Sequence, residues 1–186
     1  MHPNRQRWLS GLHTLRVRLW TPILLAMAMT GVAPAALPTP QEYISGFLLY
    51  VRWPDEAAIS MWQICVAAPA GASDTQYADL VVRERKFTVR HVTPADALAS
   101  CQVLDLTAVD AAATSVFLKA AQPLRGLLTV GDSKDFCSAG GLICLHLHEP
   151  RGGFEVNLSA VKNAGFIINA KLLMMARQPV TQGTPP

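Results

Sequence analysis

No glycine-rich phosphate loop is present in this chain. The segment after its first long apolar run, Pro69-Ala70-Gly71-Ala72, lacks the G-x-G-x-x-G spacing that lets backbone amides close on a pyrophosphate, so a nucleotide cofactor is disfavoured. A nucleophile elbow is missing too. Gly131-Asp132-Ser133 begins like one, but no glycine completes G-x-S-x-G and no histidine lies at a recognisable offset, so it reads as a strand-end turn. The four cysteines contain no C-x-x-C pair, which argues against a zinc site of four sulfurs. His146 and His148 stand two apart, on one face of a strand, but only Glu149 or His91 offers a third ligand, and surface histidines are the plainer reading. Neither a metal nor a cofactor is expected. No nucleophile, base and orienting group can be assembled, which places an enzyme behind a binding or regulatory protein.

What is present begins with an export signal. Residues 1–20 carry Arg5, Arg7, Arg16 and Arg18 and no acid, an apolar run extends from Leu19 to Val32, and Ala33-Pro34-Ala35 supplies the small residues a signal peptidase reads. The run is about fourteen residues and contains Pro22, short of the roughly 20 that a spanning helix needs. Residues 1–35 are therefore expected to be cleaved. Cleavage takes four of sixteen Lys and Arg and leaves twelve against thirteen Asp and Glu, so the basic balance belongs to the signal. The mature chain has no basic stripe with interleaved aromatics and gives no ground for nucleic-acid binding. Residues 36–178 suffice for one domain, and the Pro/Gly/Thr-rich segments 36–40 and 179–186 read as a disordered lead-in and tail.

Along the mature chain, Tyr43, Ile44, Phe47, Leu48 and Val51 recur at helical spacing from Gln41 to Arg52, and Trp53-Pro54 ends the helix. Residues 62–68 form an apolar run of buried-strand length, 74–85 read as a helix, and Phe87, Val89 and His91 alternate as an edge strand. Thr93 is expected to cap a short helical turn. Cys101 opens a second buried strand, 114–121 a helix, and 126–130 a third strand. Segments 142–148 and 154–157 are too close together for a crossover, so they should pair antiparallel. Ser159 is expected to cap a short helix that stops at Gly165, and Asn169 a last helix with Leu172, Leu173, Met175 and Ala176 inward. The fold class expected is a single-domain α/β, Rossmann-like layout: a mostly parallel sheet, a C-terminal antiparallel hairpin, and helices on both faces.

Export makes disulfides feasible. Cys137 and Cys144 flank Gly140-Gly141, where the chain must reverse, and a local bridge is the direct reading. That leaves Cys65 with Cys101, on strands expected to be parallel neighbours.

Four features in order resemble the YfiR-like family: YVRWP at 50–54, ICVAA at 64–68, CSAGGLIC at 137–144, and FEVNLSAVKNAGFIINAKLLMMAR at 154–177. The resemblance implies a Rossmann-like periplasmic protein that represses an inner-membrane diguanylate cyclase by binding its periplasmic sensor domain, with the disulfide-bonded state competent. A sequestering outer-membrane lipoprotein and a homodimer are further partners of this reading. Ile143, Phe154, Glu155 and Val161 are the expected partner-binding residues. For Glu155 a solvated carboxylate and a charge on an apolar docking patch stand as equal readings. Arg52 and Trp53 are a candidate small-ligand corner, against a solvated arginine beside a core tryptophan. The alternative function is a small-ligand-binding domain, using the crevice at the carboxyl ends of the strands near Ala67, Thr107 and Gly131.

Overall fold

The computed structural model describes residues 37–67 and 81–177. The expected export signal, most of the helix expected at 74–85 and the expected tail 179–186 lie outside them. Helix α1, Pro40–Tyr50, opens with a capping box: the Thr39 hydroxyl accepts from the Glu42 N–H, and the Glu42 carboxylate accepts from the Thr39 N–H at 2.7 Å. Thr39, read above as part of the lead-in, is thus the start of the fold. Ile44, Phe47 and Leu48 turn inward and are fully buried; each contributes roughly 1.5–3 kcal/mol by leaving water. The helix ends before Val51, which was expected to continue it. Val51–Arg52 is strand β1 and pairs antiparallel with β9, Ile167–Ile168.

Seven strands form the main sheet: β2 Trp62–Val66, β3 Val81–Val82, β4 Arg85–His91, β5 Val103–Asp105, β6 Leu128–Gly131, β7 Ile143–Leu145 and β8 Phe154–Val156. Their order is β3-β4-β2-β5-β6-β7-β8, parallel from β4 to β7 and antiparallel at both ends. The antiparallel end at β3 corrects the expected helix: Val81 to Arg85 is a tight hairpin whose turn residues, Arg83 and Glu84, have φ of 50° and 61°. The indole N–H of Trp62 donates to the Val82 carbonyl at 2.9 Å and ties this hairpin to the central sheet.

Register sorts the side chains onto two faces. Ile64, Val103 and Leu128 lie in line and join α1, α3 (Leu158–Asn163) and α4 (Ala170–Met175) in one apolar cluster. Cys65, Leu104 and Thr129 face the other way, where Cys65 and Leu104 pack with Phe117, Leu118 and Ala121 of α2, Ala111–Ala121. Asp110 caps α2 through its carboxylate, which accepts from Ala113 N–H at 2.8 Å and starts the helix three residues before the expected 114.

Three smaller readings are also corrected. Thr93 does not cap a helix: its N–H and hydroxyl both donate to the Asp96 carboxylate, at 2.6 and 2.8 Å, closing a turn. Those bonds, the backbone one foremost, hold the Asp96 carboxyl below its ordinary 3.8. The cap of α3 is Asn157, whose side-chain oxygen accepts from Ala160 N–H at 3.1 Å, while Ser159 sits inside the helix. Of the inward set expected in α4, only Leu172 is buried, and Met175 is 48% exposed.

Candidate functional site

The end of the sheet at β7 and β8 is braced from several directions. Cys144 in β7 is bridged to Cys137, with Cα atoms 5.8 Å apart, and the loop between them folds over Phe136. Phe136 is 1% exposed and its ring lies between two glycines: a Cβ at Gly131 would meet it at 2.3 Å and one at Gly141 at 2.1 Å. No side chain fits at either position. Gly140 adopts φ +99°, a conformation open to glycine and costly to others. The Asn157 side-chain amide donates to the Cys137 carbonyl at 2.8 Å, and Leu142 N–H donates to the Thr129 hydroxyl at 3.0 Å, so α3 and β6 hold the loop as well.

Cys65 and Cys101 form the second bridge, Cα to Cα 5.7 Å, between the parallel neighbours β2 and β5. It is buried, and the Arg90 guanidinium reaches both sulfurs, at 3.7 and 3.4 Å, while donating to the Ala97 carbonyl at 2.7 Å.

The apolar docking patch expected here is not on the surface. Ile143 is 0%, Phe154 6% and Val161 3% exposed, all within the cluster under α1, α3 and α4. The reason is the layering: α1, α3 and α4 cover the face of the sheet on which Ile143 and Phe154 stand, and Val161 of α3 packs down onto that face. Glu155 alone of the four stays at the surface. It points to the opposite face and meets His146 Nε2 at 3.1 Å, while His146 Nδ1 lies 3.2 Å from Glu149. Arg177 pairs with Glu149 and donates to the Gly152 carbonyl. The hydrogen bond that Arg177 donates to the Glu149 carboxylate, with the guanidinium charge, holds the Glu149 carboxyl below its ordinary 4.5. Gly153 N–H donates to the Tyr43 hydroxyl at 2.8 Å, which anchors the 149–153 turn to α1. His148 is exposed and touches Asp132 at 3.1 Å. Among the described residues no His, Cys, Asp and Glu group is arranged to hold a metal.

Arg52 and Trp53 lie at the opposite end of the molecule's main strands, by β1. Trp53 is buried against Trp62 and Phe166, with ring centroids at 4.9 and 5.3 Å, whereas Arg52 points outward and pairs with Glu56 at 3.3 Å. Sequence reasoning missed what surrounds Glu56: Arg83 reaches the same carboxylate oxygen at 2.5 Å and Arg85 approaches to 3.9 Å, both stacked over Trp62. The run VVRERK, charged residues following a short apolar pair, was the available signal. Burial alone would push the Glu56 carboxyl up; the hydrogen bond and charge of Arg83, the Trp53 backbone and Arg52 outweigh it and hold the group below its ordinary 4.5.

Near the carboxyl ends of the strands, Ala67 is fully buried, Phe136 fills the space over Gly131, and Thr107 donates twice to Asp105, at 2.9 and 2.7 Å. A more open space lies beside the bridge instead. A groove of about 520 Å³ runs between α2, the 137–140 loop and α3. Its walls are fixed by a disulfide and backbone hydrogen bonds, an arrangement suited to recognition more than to bond making. Sequence comparison finds that the family described as YfiR/HmsC-like matches residues 40–177, a span that takes in both bridges and the groove.

Proposed function

The chain belongs to the YfiR/HmsC-like family, and on that premise we propose that it is a periplasmic repressor that binds the periplasmic sensor domain of an inner-membrane diguanylate cyclase and holds down cyclic di-GMP synthesis. The family is one of regulators of cyclic di-GMP signalling. The observation that carries the reading is the match over 40–177, which spans every described strand and helix. Two bridges that leave no free cysteine support an oxidising compartment, and they make competence dependent on disulfide state in this reading. Among the described residues no helix is long and apolar enough to cross a membrane.

The domain is Rossmann-like in this account, and docking uses the rim of the disulfide-braced end: the exposed His148 and Leu158, the latter at 58% exposure, with the half-buried Glu155. Apolar contact ringed by polar groups is the usual composition of a specific interface. A second copy of the chain and a sequestering outer-membrane lipoprotein are its further partners. The test is cellular. Deleting the chain should raise cyclic di-GMP, and restoring it should lower the level again, whereas restoring Cys137→Ser with Cys144→Ser should not, although the variant is exported. Levels that stay the same with and without the chain would sink the proposal.

A further inference from the structure

We propose that the groove between α2, the 137–140 loop and α3 is a binding site for a small amphipathic organic anion, an apolar body carrying one carboxylate or sulfonate. Its volume of about 520 Å³ falls in the range of small-molecule sites, roughly 300–1,000 Å³. Leu118, Leu127 and Leu142 close the groove from beneath, and the half-buried Leu124, Ala160 and Ala164 supply the apolar surface that it presents. An apolar ligand body set on this surface would leave water together with it.

The charge of the ligand follows from the rim. Among the described residues Lys119 is the one charged side chain lining the groove, and no carboxylate among them lines it to cancel that charge. Ser115 on α2, Gln122 just past its end and Asn163 on α3 line it too, and none of these three side chains makes a hydrogen bond among the described residues, so their donors remain open to a ligand. Ser138 and Asn157 differ. The Ser138 hydroxyl donates to the Asp135 carbonyl at 2.9 Å and the Asn157 amide to the Cys137 carbonyl, so these two build the wall. With the wall braced by the Cys137–Cys144 bridge, little of the binding energy is spent on ordering the site.

The experiment uses the full oxidised chain and two probes. Anilinonaphthalene sulfonate, an aromatic body with one sulfonate, should bind saturably with one site per chain by fluorescence titration. Octanoate should displace it, and octylamine, with the same tail and the opposite charge, should not. Lys119→Glu should weaken both anions about tenfold, since like charges at one site repel, and Ser115→Trp should block the groove; both positions are exposed on α2, so melting temperatures should hold. Non-saturable binding, equal displacement by octylamine, or affinities unmoved in both folded variants would overturn the proposal. No cyclase enters the assay, so this failure would leave the regulatory function proposed above standing.

Discussion

Removing each bridge in turn separates two contributions that the fold combines. Cys65 and Cys101 are 36 residues apart and Cys137 and Cys144 only 7. Loop-closure entropy then assigns about 4 kcal/mol to the first bridge and about 2.5 kcal/mol to the second. The surroundings do not reverse that order. At the first site the Arg90 guanidinium lies against both sulfurs and can donate to serine oxygens put in their place, and a buried hydroxyl proton left without an acceptor there would only add to the loss, so Cys65→Ser with Cys101→Ser keeps the larger effect. At the second, Cys137 is half-buried and a hydroxyl there reaches water. The difference of about 1.5 kcal/mol corresponds to roughly 3–6 °C in a domain of about 150 residues. Reversible thermal melts followed by circular dichroism should show the Cys65/Cys101 pair melting lower than the Cys137/Cys144 pair by that margin. Equal melting points, or the reverse order, would refute the loop-entropy argument and give the larger role to the packing around Phe136.

Phe136→Ala should cost about 3–5 kcal/mol, because the ring fills the space between Gly131 and Gly141 and nothing else reaches it; a chemical denaturation midpoint within error of the parent would contradict this. Tyr43→Phe removes the acceptor of the Gly153 N–H and should cost about 1 kcal/mol, with faster amide exchange confined to the 149–153 turn. Stability should hold between pH 7 and 5 and fall as the pH drops below about 4.5, because a carboxylate held low in the folded state, as Glu56 is, must take up a proton there. Glu56→Gln should lower the melting point at neutral pH and flatten the acid side of the profile; an unchanged profile would show that other carboxylates set it.

The buried strands were legible because WQICV, VLD and LTV are short apolar runs bounded by turn residues, and such runs need no distant partner to be recognised. The hairpin at 81–85 was not, since its left-handed turn uses Arg83 and Glu84 where a glycine or asparagine would have signalled it. What holds Arg83 there is distant in sequence: Glu56, and the Val51 carbonyl at 2.6 Å. Strand β1 was hidden for the same reason, because Val51 leaves the helical pattern only to meet Ile168. The capping box of α1 is written in the sequence as T-x-x-E, but the prolines on either side of Thr39 give the stronger local signal of an unstructured lead-in. At the candidate site, the cysteines could be read from spacing. The docking patch could not, since whether Ile143, Phe154 and Val161 face solvent depends on how many helices cover the sheet, and alternation along one strand carries no information on that.

The central claim is tested most directly by affinity of the purified chain for periplasmic sensor domains of inner-membrane diguanylate cyclases from the same cell, measured with the bridges intact and after reduction. The account predicts that the oxidised chain retains one such domain and that reduction releases it. Retention of none, or equal retention in both states, would contradict it.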